Sequence, residues 1–167
     1  FGLVIAFGCT TIFVVLATGG PRWPIARYRP DAGPKVVIVS VDGLGAHMLD
    51  HRHMPFLAGL ADHGVMSPMR PAFPSLTFPN HYTMMTGLLP AKHGIVANRF
   101  IDPTRNEAFY SKDPKCAADG TWLSRGEPFW IKVERDGGRS AVVQWIGSQA
   151  TIHGYKPSFA VPYRRDA

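Results

Sequence analysis

The sequence predicts an α/β fold, because segments with a strand pattern alternate with segments with a helix pattern. A continuous β-branched run at residues 36–41 ends at Asp-Gly, which is typical of a strand buried on both faces in a parallel sheet. Residues 54–63 follow with helical spacing of apolar residues, Pro55 in the first turn and Gly64 after the last. A second short strand is predicted at residues 65–69.

The same alternation continues in the second half of the chain. Residues 79–86 predict a helix, with Pro79 in its first turn and Gly87 at its C-terminal end. Another helix is predicted to begin at Pro128, and residues 139–145 predict a third strand. In open α/β sheets, ligands bind outside the carboxyl ends of the strands, so we expect the site near the end of the first strand.

Composition limits the classes of protein. With 167 residues, of which 46% are hydrophobic and 18% charged, the chain can bury one substantial core. The formal charge of +6 suits an anionic partner such as a phosphate ester. The basic residues are scattered rather than interleaved with aromatics, so specific nucleic-acid binding is not expected. Nothing in the sequence predicts an oligomeric state.

The N-terminal residues predict export. Residues 1–19 begin with a nearly uncharged run shorter than the ~20 apolar residues that span a bilayer. Small residues at Ala17 and Gly19 suit a signal peptide, and the start at Phe1 implies a missing charged region before it. A signal anchor and a buried core helix are the alternatives, and arginines just downstream argue somewhat against export. We expect an extracytoplasmic protein, secreted, periplasmic or anchored in the membrane facing outward.

Residues 20–35 are rich in proline and glycine, and this composition predicts an extended linker. The folded part is therefore expected to occupy residues 36–167. Cys9 lies inside the apolar run and Cys116 is alone after it, so no disulfide framework is predicted.

Asp42 and Thr77 are the first candidates for chemistry. Asp42 follows a predicted strand, where its carboxylate could hold a divalent cation, although Asp-Gly is also common turn chemistry. Thr77 lies at a predicted helix start, where its hydroxyl could attack phosphorus beside a cation while helix amides hold the phosphate oxygens. An ordinary N-cap is the alternative for Thr77.

Asn98 and Phe78 are the candidates for substrate binding. Asn98 could donate an amide hydrogen bond to a phosphoryl oxygen, or it could be a turn residue. Phe78 is adjacent to Thr77 and could touch a substrate, whereas aromatic residues by default belong to the core. A lone histidine is a poor metal site, so we expect solvated or structural roles for the histidines considered, His51, His53, His81 and His93.

Two long segments carry a resemblance to a known family. VSVDG followed by PSLTFPNHYTMMTGLLPAKHGIVANRFIDP resembles the nucleotide pyrophosphatase/phosphodiesterase family of the alkaline phosphatase superfamily. GEPFWIKVERDGGRSAVVQWIGSQATIHGYKP resembles the next segment of the same family, so the resemblance covers about residues 35–163. It implies an alkaline-phosphatase-like, mostly parallel sheet flanked by helices. It also implies zinc-dependent hydrolysis of phosphodiester or pyrophosphate bonds in small nucleotide-type substrates.

The resemblance assigns roles to the four candidates. Asp42 matches an aspartate that binds one of two zinc ions, and Thr77 matches the nucleophile, which also coordinates zinc. Asn98 matches the asparagine that holds a phosphoryl oxygen. Phe78 matches an aromatic residue that packs on the leaving or nucleoside portion.

One departure from the family pattern matters. The family completes its zinc sites with further Asp and His ligands downstream of the segment that ends at Ala167. We therefore expect residues 36–167 to be the N-terminal part of a catalytic domain, inactive alone and with an exposed sheet edge. The rival hypotheses are a phosphomonoesterase, a phospholipid head-group phosphodiesterase and a non-catalytic, membrane-tethered module.

Overall fold

Two compact units, Phe1–Pro71 and Ala72–Ala167, make up the chain. The structure is a computed structural model, and it describes residues 4–7, 12–15 and 36–163. Helices and strands alternate along both units, which confirms the predicted α/β class.

The first unit contains a four-stranded sheet. Its strands are β1 (Val4–Phe7), β2 (Ile12–Val15), β3 (Val37–Ser40) and β4 (Val65–Pro68), in the order β3-β2-β1-β4. β1 pairs in parallel with β4, whereas β2 is antiparallel to both β1 and β3. A short 3-10 helix at Ala46–Met48 and helix α1 (Pro55–Asp62) connect β3 to β4. The predicted helix and second strand are thus confirmed.

Leu44 is the centre of a small core among the described residues of this unit. Its side chain is buried, and apolar side chains from the following loop and from α1 pack against it: Leu49, Met54, Leu57, Leu60 and Ala61. The apolar spacing that predicted α1 therefore reflects its inner face.

The first predicted strand differs from the expectation in one respect. β3 is antiparallel to β2, and Val37 and Val39 remain 51% and 46% exposed. The expectation of a strand buried on both faces is therefore wrong for this structure. A run of valines predicts a strand, but the coverage of its faces depends on tertiary neighbours.

The assignment of residues 1–19 to an export signal or anchor stays a prediction. β1 and β2 lie within that segment, and its other residues, with the predicted linker at 20–35, lie outside the described part of the chain. Among the described residues, no helix has the length and apolarity needed to cross a membrane.

The second unit contains five helices and two small sheets among its described residues. The helices are α2 (Thr77–Thr86), α3 (Pro90–His93), α4 (Pro114–Ala118), α5 (Gly120–Leu123) and α6 (Phe129–Arg135) together with short turns. β5 (Arg99–Asp102) and β6 (Glu107–Tyr110) form an antiparallel hairpin, whereas β7 (Ala141–Val143) and β8 (Phe159–Val161) pair in parallel.

Tyr82 anchors α2 to the rest of this unit. Its side chain is fully buried, and its hydroxyl donates to the carbonyl oxygens of Leu123 and Gly126. Burial raises the pKa of the Tyr82 hydroxyl well above its usual value, so the group stays a neutral donor. α2 is therefore fixed against the segment that joins α5 to α6.

Glu134 connects α6 to both strands of the β7–β8 pair. Its carboxylate accepts hydrogen bonds from the backbone N–H and the hydroxyl of Ser140 and of Ser158, at 2.6 to 2.9 Å. The hydrogen bond from the Ser140 hydroxyl is the main cause that lowers the pKa of Glu134 to about 2. The carboxylate is therefore ionised, which makes these hydrogen bonds charge-assisted.

His93 is a structural histidine, as predicted. Its ring is fully buried, with Nδ1 accepting from the Ile95 N–H at 3.2 Å and Nε2 lying 3.0 Å from the Thr83 hydroxyl. Because an N–H points at Nδ1, the ring is neutral with its proton on Nε2. Burial is the main cause that lowers the pKa of His93 from 6.5 to about 4.

This burial predicts an acid-sensitive stability. The unfolded chain binds a proton at His93 as pH falls below 6.5, but the folded protein does so only near pH 4. The contribution of His93 to the free energy of unfolding is therefore complete above 6.5 and is lost between 6.5 and 4, by at most about 3 kcal/mol. Chemical denaturation across this range checks it. His93→Asn keeps an acceptor for Ile95 and should show a shallower loss, whereas an equally steep loss in the variant would contradict the assignment.

Candidate active site

Asp42 lies in the first unit, in the turn that follows β3. Gly43 has a φ of 79°, a left-handed conformation that suits glycine and lets the chain turn directly after the strand. The Asp42 side chain is exposed. The other three predicted site residues, Thr77, Phe78 and Asn98, all belong to the second unit.

Thr77 is the first residue of α2. The N-cap position is occupied by Leu76, whose side chain makes no capping hydrogen bond. The interpretation of Thr77 as an ordinary N-cap is therefore wrong, and the helix begins two residues before the predicted start at residue 79. Proline is tolerated throughout the first turn of a helix, so Pro79 does not show which residue is the first helical one.

Asn98 lies beside Thr77 in space. Its Oδ1 accepts a hydrogen bond from the Phe78 N–H at 3.1 Å, although the two residues are 20 positions apart. Asn98 lies directly before β5, and its backbone carbonyl oxygen accepts a hydrogen bond from the Ser111 N–H at 2.9 Å. The β5–β6 hairpin thus brings a side-chain amide to the N-terminus of α2. With Oδ1 engaged by the helix, Nδ2 is the atom that can donate to a phosphoryl oxygen.

Phe78 is buried, with 3% of its surface exposed. Edge-to-face contacts join its ring to Phe109 at 6.2 Å and to Tyr163 at 5.6 Å between ring centroids. Phe78 is therefore a core residue here, and its predicted contact with a substrate stays a prediction. Tyr163 is partly exposed and lies against it, and sequence reasoning did not single it out.

The backbone amides at the start of α2 are largely engaged. Phe78 donates to Asn98, Pro79 has no N–H, and the Asn80 N–H donates to the Leu76 carbonyl oxygen at 3.1 Å. The side-chain amide of Asn98, rather than the helix amides, is therefore the main candidate donor to the phosphate oxygens.

Two further residues near Thr77, Asn80 and His81, were not assigned to the site from the sequence. Asn80 is 2% exposed and hydrogen-bonds to the loop before α2, and His81 is 7% exposed with Nδ1 lying 2.8 Å from the Thr77 carbonyl oxygen. The signal that could have found them is two consecutive polar side chains between the buried Phe78 and Tyr82 of one short helix.

The described residues do not form a complete metal site. No group of three or more His, Cys, Asp or Glu side chains is arranged to hold an ion in this part of the chain. Asp42 and Thr77 offer oxygen donors of a kind that zinc accepts, but a zinc ion takes about four ligands. His51 and His53 are exposed and paired with carboxylates, His51 with Asp62 and His53 with Asp50.

The chain matches a known protein family over most of its length. The type I phosphodiesterase / nucleotide pyrophosphatase family matches residues 36–167. The chain belongs to this family. The resemblance found in the sequence motifs, and the identification of the chain as an N-terminal portion, are confirmed.

Individual relatives agree with this membership. The chain is 44% identical over 132 residues to a pyrophosphatase/phosphodiesterase of Schizosaccharomyces pombe, covering 78% of this chain and 27% of that protein. It is 36% identical over 126 residues to a bis(5'-adenosyl)-triphosphatase of Xenopus laevis, covering 75% of this chain and 27% of that protein. The chain thus spans about a quarter of the length of these curated relatives.

Solved structures of the family share the fold. The murine ectonucleotide pyrophosphatase / phosphodiesterase 5 superposes with a TM-score of 0.54 at 35% identity, over 58% of this chain and 26% of that one. An inactive threonine-to-alanine variant of the murine protein, solved in complex with AMP, superposes with the same TM-score of 0.54 at 34% identity and the same coverage. The alkaline-phosphatase-like fold expected from the sequence is therefore confirmed, and it is incomplete in this chain.

The Asn98 contact predicts different effects of two substitutions on stability. Asn98→Ala removes the acceptor for the Phe78 N–H and should lower the free energy of unfolding by about 1 kcal/mol. Asn98→Asp keeps an acceptor and places a negative charge at a helix N-terminus, so its stability should equal or exceed that of the wild type. Equal destabilisation by both substitutions in thermal denaturation would show that this hydrogen bond does not cap α2.

Proposed function

We propose that the protein hydrolyses phosphodiester or pyrophosphate bonds in nucleotide-type substrates through a phosphothreonine at Thr77. The observation that carries the proposal is the side-chain amide of Asn98, held by the Phe78 N–H next to Thr77. A hydroxyl and an amide donor at one helix start are the nucleophile and the oxygen-binding group that phosphoryl transfer requires. Membership of the family supports the reaction class, and the inactive threonine-to-alanine variant of the murine relative supports an essential threonine.

The reaction consists of two in-line displacements. The Thr77 oxygen attacks phosphorus, the bond from phosphorus to the leaving oxygen breaks, and an alcohol or nucleotide departs after taking up a proton. Water then attacks the phosphothreonine, the bond to the Thr77 oxygen breaks, and the hydroxyl is regenerated. Nδ2 of Asn98 donates to a phosphoryl oxygen in both steps and stabilises the charge that develops there.

Two zinc ions are part of the proposal. Asp42 would provide a ligand to one of them and Thr77 a ligand as well, while the other ligands must come from residues outside those described. Bound zinc lowers the pKa of a coordinated hydroxyl and neutralises charge on the phosphoryl group. The scattered positive charge of the chain suits an anionic substrate of this kind.

The aromatic pair of Phe78 and Tyr163 is the proposed contact for the nucleoside or leaving portion. Because Phe78 is buried and the contacting ring of Tyr163 is partly exposed, a base would meet Tyr163 first. The proposal also places the protein outside the cytoplasm, on the basis of the apolar residues at its N-terminus.

Substitutions of Thr77 and Asn98 in the complete gene product test the reaction. Thr77→Ala should reduce diester hydrolysis to background, because no nucleophile remains, whereas Thr77→Ser should retain part of the activity. Asn98→Asp should fold normally but lower kcat by about 100-fold, since a carboxylate replaces the donor to the phosphoryl oxygen. Initial rates with a nitrophenyl nucleotide diester provide the measurement.

The outcomes separate the rival functions. Full activity of Thr77→Ala would contradict the covalent route. Faster hydrolysis of nitrophenyl phosphate than of the diester by the wild type would favour a phosphomonoesterase, and faster hydrolysis of a phosphocholine diester would favour a phospholipid head-group enzyme.

Zinc content gives an independent check. We expect about two zinc ions per complete gene product, as two-metal phosphoryl-transfer sites require, measured by inductively coupled plasma mass spectrometry after gel filtration. Asp42→Asn should lower this content, because it replaces a carboxylate ligand with a neutral amide. A wild-type protein without stoichiometric zinc would instead indicate a non-catalytic module.

A further inference from the structure

The peptide groups on both sides of Thr77 are held by side chains of its own helix. In the peptide group before Thr77, the Leu76 carbonyl oxygen accepts a hydrogen bond from Nδ2 of Asn80 at 3.0 Å. In the peptide group after Thr77, the Thr77 carbonyl oxygen lies 2.8 Å from Nδ1 of His81. A carbonyl oxygen can only accept, so Nδ1 of His81 carries the proton and donates.

Asn80 also fixes the loop that leads into α2. Its Nδ2 reaches the carbonyl oxygens of Ala72 at 3.3 Å and Pro74 at 2.8 Å, and its Oδ1 accepts from the Ala72 N–H at 2.8 Å. The side chain is 2% exposed, so water cannot replace these partners. The path of residues 72–76 therefore depends on one buried amide.

His81 is fixed by packing as well as by its hydrogen bond. Its ring meets Trp145 edge to face, with 5.3 Å between the ring centroids, and Trp145 is itself buried. The imidazole is therefore held in one orientation with Nδ1 directed at the Thr77 carbonyl oxygen.

From this arrangement we infer that Asn80 and His81 are positioning residues, which set the direction of the Thr77 hydroxyl by fixing the two peptide groups that flank it. The inference rests on the proposed role of Thr77 as the nucleophile. Threonine is β-branched and populates mainly two side-chain rotamers in a helix, so fixing its backbone restricts its oxygen to two positions. Neither residue touches the substrate in this account.

The expected consequence is a loss of rate without a loss of binding. A nucleophile displaced by about 1 Å can cost on the order of 100-fold in rate, because the reacting atoms no longer align. Substrate contacts that do not involve Thr77 are unchanged, so KM should remain within about twofold while kcat falls.

His81 offers a matched pair of substitutions in the complete gene product. In His81→Asn, the amide nitrogen can take the place of Nδ1 and donate to the Thr77 carbonyl oxygen, whereas His81→Leu cannot donate. We expect kcat of His81→Leu to fall by about 10-fold to 100-fold at nearly constant KM, and His81→Asn to recover most of the loss. Equal losses in both variants, or a change in KM alone, would overturn the inference for His81.

Asn80→Asp tests the second positioning residue. The carboxylate keeps the acceptor for the Ala72 N–H but turns an oxygen toward the carbonyl oxygens of Ala72, Pro74 and Leu76. We expect a fall in kcat of about 100-fold at nearly constant KM. A folded Asn80→Asp enzyme with wild-type kcat would contradict the role. If the variant does not fold, the His81 pair decides the inference.

Thr83→Val is the control for general destabilisation of α2. It removes the hydrogen bond between Thr83 and His93 but leaves the contacts of Thr77 in place. It should lower Tm and leave kcat unchanged, whereas a comparable loss of kcat would show that destabilisation alone explains the other variants. Wild type and Thr77→Ala are assayed together. Inactivity of the wild type, or activity of Thr77→Ala, refutes the proposed function itself rather than the positioning roles.

Discussion

The buried amide of Asn80 is the interaction on which the rest of the candidate site depends. Each buried polar group left without a partner costs about 1–3 kcal/mol, so a side chain that satisfies several such groups selects one path for the chain. Asn80 does this for the loop at residues 72–76, and the start of α2 follows from that path. Thr77 acquires its position from these contacts before any substrate or metal is considered.

The wider fold connects this helix start to the elements that supply its neighbours. Tyr82 and His93, both fully buried, hold the middle of α2 against the segments that follow it. The β5–β6 hairpin carries Asn98 to the same helix start through its contact with Phe78. The helix, its preceding loop and the hairpin that position Thr77 and Asn98 thus belong to a single compact unit, whereas Asp42 belongs to the first unit.

Local patterns in the sequence predicted the elements that depend on local physics. The helix with Pro55 in its first turn and the helix that ends at Gly87 were both predictable, since proline and glycine restrict the backbone directly. The motif around Thr77 carried the resemblance to the family, which the family match confirms, while the catalytic role of Thr77 stays a prediction. The exposed faces of β3 could not be predicted, because burial there depends on neighbours that lie elsewhere in the chain.

The roles of Asn80 and His81 also exceed what the sequence can predict. Their partners are backbone carbonyl oxygens, and every residue has one, so no spacing rule identifies which carbonyl a buried amide or imidazole will reach. Asn98 poses the same problem over a longer distance, because only the tertiary fold brings it to Phe78. The resemblance supplied its proposed role, and the structure supplies the physical means by which its amide is oriented.

The most direct test of the nucleophilic role of Thr77 is the stereochemical course of hydrolysis at phosphorus. The complete gene product would hydrolyse a chiral phosphorothioate diester in isotopically labelled water. The configuration at phosphorus in the product would then be determined by ³¹P NMR. Two in-line displacements invert the centre twice, so this account predicts net retention of configuration. Inversion would mean a single attack by water and would contradict the central claim.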